Sequence, residues 1–188
     1  MPDCPTLAAQ AVQALVSARE AHVRTLVRVL AEAGPCYVEP ALRLADGSLA
    51  VEGVPPTPYR VDLIAKQGME RIMIDSIPGQ TPAIRQLSDG VELEIGPLVW
   101  DQTTIDAAGA GPEASEQVQE WFLRWFDPED ANPADAMGLQ GVVHSMSDIR
   151  AGDGCITFTL DLGSAPARAV EDLVSVLVRL GATGIRIA

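Results

Sequence analysis

A long amphipathic segment opens the chain, and it constrains the fold more than any other sequence feature. Between Thr6 and Ala33 the residues are mostly Ala, Leu, Val, Arg and Glu, and Gly34-Pro35 ends the run. On a helical wheel the apolar side chains share one broad face and most polar side chains share the other. A helix of this kind needs an apolar layer to cover, so the rest of the chain must supply one.

The remaining segments predict eight strands and three further helices. β-Branched or alternating stretches predict strands over residues 37–44, 48–51, 59–65, 70–77, 91–100, 139–149, 155–162 and 183–187. Further helices are predicted over residues 81–90, 112–126 and 165–180. Since the C-terminal order is ββαβ, a helix would cross a mostly antiparallel sheet. The predicted class is α+β, with the long N-terminal helix on antiparallel strands, followed by a C-terminal helix plus a ββαβ lobe.

One stretch of small residues is a candidate domain boundary. Residues 106–115 read DAAGAGPEAS, which is a composition typical of a loop or a linker. The sequence therefore predicts an N-terminal α+β lobe over residues 1–105 and a C-terminal α+β lobe over residues 116–188. A single compact domain is the alternative, because 188 residues can bury one sizeable core.

Charge excludes some classes of partner. The formal net charge is −13, and residues 89–153 hold 14 acidic residues against only Arg124 and Arg150. A field of that sign repels nucleic-acid phosphates and anionic lipids, so neither nucleic acid nor a membrane is expected as a partner. The chain has no apolar run long enough to cross a membrane and no signal-peptide pattern at its start, which predicts a cytoplasmic protein.

The segment around residues 112–126 combines an acidic face with an aromatic one. It holds four of the eight aromatic residues, Trp121, Phe122, Trp125 and Phe126, and the opposite arc is acidic. A solvated acidic face is the plainer interpretation, with Glu120 and Arg124 as an i,i+4 pair. The alternative is a surface for a basic protein partner, formed by Glu113, Glu116, Glu120, Asp127, Glu129 and Asp130. The aromatic face would pack inside the chain or against a second copy, so a homodimer stays open.

Metal and cofactor sites are not predicted. The three cysteines, Cys4, Cys36 and Cys155, lie far apart without a CxxC pair, and we interpret them as buried structural thiols. The acidic run from Asp127 to Asp135 places alanine where a calcium loop needs its third ligand. A single glycine before the helix at residue 165 does not form a phosphate-binding loop, so no cofactor is expected.

Three basic side chains are candidates for a ligand pocket. Arg19 projects onto the apolar face of the first helix, and His22 lies one turn later; such an arginine often pairs with a buried acid, here Asp75 or Asp161. His144 with Asp161 and either Ser145 or Ser164 offers the parts of a hydrolytic triad. If Ile149 pairs with Cys155, however, His144 lies opposite Leu160 among apolar neighbours and Asp161 points away. Ser164 is predicted to cap the following helix.

These patterns favour a binding protein over an enzyme. The leading hypothesis is a non-enzymatic interaction protein, such as an inhibitor, an immunity-like antagonist or a chaperone, whose acidic central region binds a basic protein surface. The alternative is a small-molecule-binding protein or a small hydrolase that uses Arg19, His22 or His144.

Overall fold

The computed structural model describes residues 7–54, 56–74, 76, 83–88 and 90–188, and within them it has three helices. These are α1 (Ala9–Ala33), α2 (Ala114–Phe126) and α3 (Ala167–Arg179). The strands are β1 (Cys36–Val38), β2 (Val51–Glu52), β3 (Thr57–Pro58), β4 (Leu63–Ala65), β5 (Arg71–Ile72), β6 (Ile84–Ser88), β7 (Val91–Ile95), β8 (Thr103–Ala108), β9 (Ser145–Met146), β10 (Arg150–Gly152), β11 (Cys155–Asp161) and β12 (Gly184–Ile187). The predicted α+β class is confirmed.

A seven-stranded mixed sheet forms the centre of the molecule. Its strand order is β10-β11-β8-β12-β7-β6, and β9 also pairs with β11. Only the β12–β7 pair of this sheet is parallel among the described strands. Two smaller antiparallel sheets, β1-β4-β5 and β2-β3, lie outside it.

The long first helix connects two buried clusters. Its N-terminal half contributes Ala11, Leu15 and Ala18 to the main core, which also contains α2, α3 and the large sheet. Its C-terminal half contributes Val23 and Leu26 to a smaller core against β4. The predicted amphipathic helix is therefore confirmed from Ala9 to Ala33. The expected cap, Thr6, lies outside the described residues.

The segment 106–115 is not a loop along its whole length. Its first three residues end β8, which pairs with both β11 and β12, and only residues 109–113 lie between β8 and α2. Strands from both sides of this segment share the large sheet, since β7 pairs with β12. Small residues are typical of a linker, but they also fit a central strand. Ala107 of β8, for example, is fully buried.

The short helix predicted over residues 81–90 is also wrong where the structure describes it. Residues Ile84–Ser88 form β6, which pairs with β7 along its whole length. Gly90 has a φ of 80°, and it turns the chain between β6 and β7 instead of ending a helix. Pairing with the neighbouring strand outweighs the weak helix signals of a short segment.

No helix in the described part of the chain is both long enough and apolar enough to span a membrane.

Candidate functional site

A fully buried glutamate connects the N-terminal strands to the C-terminal half of the chain. The Oε1 atom of Glu39 lies 2.9 Å from Nε2 of His144 and accepts a hydrogen bond from the backbone N–H of Ser164. Its Oε2 atom accepts from the Ser164 hydroxyl and from the backbone N–H of Gln140, both at 2.7 Å. Both oxygens of a carboxylate that has no solvent exposure are thus satisfied.

His144 lies between this glutamate and two further carboxylates. Its Nδ1 atom is 3.6 Å from Oδ1 of Asp62 and 3.6 Å from Oδ2 of Asp161, which is beyond hydrogen-bond distance. Burial lowers the pKa of His144, but the charges of Asp161 and Glu39 and the hydrogen bond to Glu39 outweigh burial and raise it to about 10. Burial raises the pKa of Glu39, and the His144 contact outweighs it, so that pKa falls. The pair is therefore an imidazolium and a carboxylate at neutral pH.

The predicted surroundings of His144 are wrong. Met146, not His144, lies opposite Leu160, because three residues separate β9 from β10 and Gly152 takes the place opposite Cys155. His144 therefore falls just before β9, where its own N–H donates to the carbonyl of Asp161. Asp161 faces the imidazole instead of pointing away from it.

Ser164 does not cap α3. The N-cap of α3 is Pro166, and the Ser164 hydroxyl donates to Glu39 while it accepts from the N–H of Gly141. A hydrolytic triad would need this hydroxyl to donate to an imidazole. Because the carboxylate stands between the serine and the histidine, and because all three side chains are fully buried, the arrangement does not activate a nucleophile.

Asp62 carries a charge at high cost. Its Oδ2 atom accepts from the N–H of Ile74, whereas its buried Oδ1 atom has no hydrogen-bond partner among the described residues. Burial raises the pKa of Asp62 to about 6, although the nearby His144 lowers it. Asp62 is thus the group of this cluster whose protonation changes near neutral pH.

His22 extends the cluster from α1. Its Nδ1 atom is 2.7 Å from the hydroxyl of Ser76, and its Nε2 atom is buried with no partner in the described part of the chain. Burial lowers the pKa of His22, against the opposing charge of Asp161. The backbone N–H of Ser76 donates to Oδ2 of Asp101. His22 and His144 are thus brought into one electrostatically connected cluster.

Arg19 does not join this cluster through an acid. Its guanidinium donates to the backbone carbonyls of Ser164 and Ala165, with distances of 2.9 to 3.2 Å. Of the two predicted acidic partners, Asp161 bonds elsewhere and Asp75 lies outside the described residues. Arg19 therefore attaches α1 to the connection between β11 and α3.

A second buried cation, Arg60, binds the end of α2. It donates to the carbonyls of Phe126 and Asp127 and to the carboxylate of Asp130, at 2.8, 2.6 and 2.8 Å. Its guanidinium also lies 4.8 Å from the centre of the Phe126 ring. Asp130 also forms an ion pair with Arg43. Asp130 therefore serves the fold, and so does Asp127, whose carboxylate accepts from the N–H of Asn132.

The other predicted partner-binding residues remain on the surface. Glu113, Glu116, Glu120 and Glu129 are exposed, and none of them forms an ion pair with a described residue. Arg124 pairs with Asp172 of α3 instead of with Glu120. Trp121, Phe122 and Phe126 are buried inside the chain, Trp125 is partly buried, and the indole N–H of Trp121 donates to the carbonyl of Ala169.

A surface cavity of about 350 Å³ opens beside the His144 cluster. Its lining includes four carboxylates and no Lys, Arg or His: Glu52, Asp101, Asp148 and Asp161. Five hydroxyl side chains complete its polar lining: Thr57, Tyr59, Ser145, Ser147 and Thr159. The inner carboxylate, Asp161, is the one that faces Nδ1 of His144.

No group of three or more His, Cys, Asp and Glu side chains among the described residues is arranged to hold a metal ion. Cys36 and Cys155 are free thiols and only partly buried, and Cys4 lies outside the described residues. The chemistry on offer at the cavity is thus that of carboxylates and hydroxyls, which bind cationic groups.

Sequence reasoning missed Glu39, Arg60 and Asp62. Glu39 precedes a proline in a predicted hairpin, where an acid is ordinarily solvated. Arg60 and Asp62 alternate with Val61 and Leu63, a pattern that normally indicates one solvent-facing side of a strand. Both sides are buried here, and no local signal distinguishes that case.

No protein-family model, curated protein or solved structure matches the chain.

Proposed function

We propose that the protein is a non-enzymatic binding protein that takes a basic segment of a partner protein at its acidic cavity. The cavity lining supports this proposal, because it combines four carboxylates with no basic side chain. A cationic side chain that enters would replace repulsion between carboxylates by attraction, in a concave site where part of the water is excluded.

The charge of the whole molecule favours the same kind of partner. A net charge of −13 attracts a basic surface from a distance and raises the association rate at low ionic strength. Glu113, just before α2, and Glu116 and Glu120 within it are exposed, form no ion pair with a described residue, and would add to this attraction. The carboxylates of Asp127 and Asp130 already bind other residues of this chain, so we place the centre of the interface at the cavity.

The alternative of a hydrolase that uses His144 receives less support. His144 and Ser164 are fully buried and both bind Glu39, and the Arg19 guanidinium donates to the main-chain carbonyls of Ser164 and Ala165. The net charge of −13, which repels nucleic-acid phosphates and anionic lipids, favours a protein partner over a nucleic acid or a membrane, and a cytoplasmic location is also part of the proposal.

The test is binding of a fluorescent basic peptide with mixed lysines and arginines, followed by anisotropy at low and at high salt. The cavity variant is Glu52→Gln with Asp148→Asn, two lining residues that do not contact the buried cluster. The matched control is Glu32→Gln with Glu70→Gln, which removes the same charge at exposed sites outside the cavity. We expect the cavity variant to bind at least tenfold more weakly than the control, since each close charge pair contributes about 1 kcal/mol or more.

Equal loss in both variants would mean that net charge alone attracts the peptide, and it would contradict a cavity site. A third variant, with Glu113, Glu116 and Glu120 all changed to Gln, tests the α2 face directly. If this variant loses more affinity than the cavity variant, the interface is centred on α2 and the proposed location is wrong.

A further inference from the structure

A second cavity, of about 720 Å³, lies between the end of α2 and the start of α3. Arg124 and Trp125 line it from α2, Arg168 and Asp172 line it from α3, and Pro133 lines it from the segment that follows α2. Unlike the acidic cavity, it has two cations and one carboxylate in its described lining. The lining is therefore net positive in a protein whose net charge is −13.

The single carboxylate of this cavity is already bound. Oδ2 of Asp172 accepts from the Arg124 guanidinium at 2.9 Å and from the indole N–H of Trp125 at 3.0 Å. Arg124 is thus balanced by Asp172, whereas Arg168 forms no ion pair with any residue that the structure describes. One positive charge of the lining is left without a described acid to neutralise it.

Arg168 is held at the cavity by an aromatic ring. Its guanidinium carbon lies 5.4 Å from the centre of the Trp125 ring, and the same ring is fixed by its hydrogen bond to Asp172. A guanidinium that stacks on a ring keeps its N–H groups, which lie in its own plane, available to an acceptor. The stack therefore orients a charged donor before any ligand arrives.

The place of Arg168 in α3 is unfavourable for a cation. It is the second residue of the helix, where the helix dipole favours acidic side chains. The first turn contains no acid, and no side chain caps its amides. The dipole and the guanidinium thus add positive potential at one edge of the cavity, and a bound anion would offset both.

The rest of the lining narrows the class of anion. Trp125, Pro133 and Pro166 present ring surfaces to the cavity, which suit a ligand with an apolar body. The planar fork of a guanidinium matches both carboxylate and phosphate. The negative field of the whole protein opposes a doubly charged phosphate more strongly than a singly charged carboxylate. A carboxylate on an apolar body satisfies both conditions.

We propose that this cavity binds a carboxylate carried on an apolar body, either a free organic acid or the C-terminus of a peptide that ends in an apolar residue. The site is separate from the acidic cavity, and it does not depend on the function proposed for that cavity.

The test is a nuclear magnetic resonance titration of the wild-type protein with phenylacetate and with its neutral analogue phenylacetamide. The chain has three tryptophans, of which Trp100 and Trp121 are buried and Trp125 is partly buried. Trp125→Phe assigns the indole N–H signal of Trp125. We expect phenylacetate to shift this signal and to leave the other two in place, and phenylacetamide to bind at least about tenfold more weakly.

Arg168→Gln removes the cation that we place in the site. We expect this variant to bind phenylacetate about tenfold more weakly, since a hydrogen bond to a charged group is lost. Arg179→Gln, which removes an exposed arginine of the same helix outside this cavity, is the matched control and should bind as the wild type does. Because a cation at the start of α3 opposes the helix dipole, Arg168→Gln should not reduce stability.

Peptides that end in phenylalanine, with a free or an amidated C-terminus, identify the source of the carboxylate. Tighter binding of the free peptide than of phenylacetate would show that the site takes a C-terminus, and tighter binding of phenylacetate would show that it takes a free acid. In both cases the amidated peptide should bind more weakly than the free one, and both results support the proposal.

Three results would overturn it. Equal binding of phenylacetate and phenylacetamide would mean that the cavity does not recognise the charge. Tighter binding of phenyl phosphate than of phenylacetate would make phosphate the ligand. If none of the probes shifts the Trp125 signal, the cavity is not a binding site. All three comparisons use the wild-type protein, so they do not depend on the folding of a variant.

Discussion

Glu39 combines two features that each cost free energy, a buried charge and an unusual backbone conformation. Its φ is 49°, in the left-handed region that non-glycine residues rarely adopt, and its side chain has no exposure. Such a conformation persists where the surroundings over-determine it. The surroundings of Glu39 do so, because its backbone N–H donates to the main-chain carbonyl of Asp62 and its own carbonyl accepts from the Arg60 guanidinium.

The ion pair makes Glu39→Gln strongly destabilising. The substitution leaves the His144 imidazolium buried without its carboxylate and turns an amide donor toward groups that already donate. We expect a loss of about 3 kcal/mol or more in the free energy of unfolding, measured by urea denaturation at pH 7. Asp153→Asn, in an exposed turn, is the control and should change stability by less than about 0.5 kcal/mol. A loss below about 1 kcal/mol in Glu39→Gln would contradict the buried ion pair.

Asp62 predicts a pH dependence of opposite sign to that of a salt-bridged acid. Its pKa in the folded protein is about 6, above its ordinary value of 3.8. Between these two values the unfolded chain releases a proton that the folded chain keeps, so stability contributed by the neutral form is lost as pH rises. The shift corresponds to about 3 kcal/mol for a group that is almost wholly buried.

Asp62→Asn removes this titration while it keeps an acceptor for the N–H of Ile74. We expect the decline in unfolding free energy from about pH 4 to pH 7 to be smaller in this variant than in the wild type by about 2–3 kcal/mol. Denaturation curves at a series of pH values measure the difference. Parallel pH profiles for the two proteins would show that Asp62 is not protonated in this range.

At the scale of secondary structure, periodicity predicted the elements that bury one face. The three long helices follow from apolar spacing, and Trp121, Phe122 and Phe126 of α2 are buried inside the chain. Short elements were predicted less well. Residues 84–88 form a strand because β7 offers a partner, and the position of His144 depends on how many residues lie between β9 and β10. No local sequence pattern predicts this strand or the position of His144, since both arise from pairing between distant segments.

The end of α2 shows how a distant residue stabilises an element. Asp127 follows the last residue of α2, Phe126, in a left-handed conformation, and Arg60 donates to the carbonyls of both. A cation at a helix C-terminus also interacts favourably with the helix dipole. These contacts come from 66 and 67 residues away in the sequence, so no capping motif could have predicted them.

Arg60→Lys tests this contact while it keeps the charge. Lysine cannot reach the carbonyls, Gln140 and Asp130 together, because its three donors all lie on a single nitrogen. We expect a loss of about 2–4 kcal/mol in the free energy of unfolding, with faster amide exchange in the last turn of α2. The comparison is Arg43→Lys, an exposed partner of the same Asp130, which should lose less than about 1 kcal/mol. Equal losses would mean that burial of Arg60 adds nothing to its contacts.

For the whole molecule, the sheet and the core connect the two predicted lobes. β6 and β7 come from residues before 106, and β10, β11 and β12 come from residues after 115, yet all belong to one sheet. The main cluster of buried residues runs from Leu7 to Ile187. The boundary at residues 106–115 was predicted from composition, which reports local flexibility but carries no information about which strands become neighbours.

Shared packing of this kind predicts one cooperative unfolding transition. If residues 1–105 and 116–188 were independent units, each would need its own core, but α1 and β7 bury their apolar faces in the same cluster as α2 and α3. Urea unfolding followed by tryptophan fluorescence and by far-ultraviolet circular dichroism should therefore give coincident curves. Native-state amide exchange supplies the sharper test, because β7 and β11 lie on opposite sides of the predicted boundary. Their most protected amides should open with the same free energy, and a difference above about 2 kcal/mol between them would show two separately unfolding units.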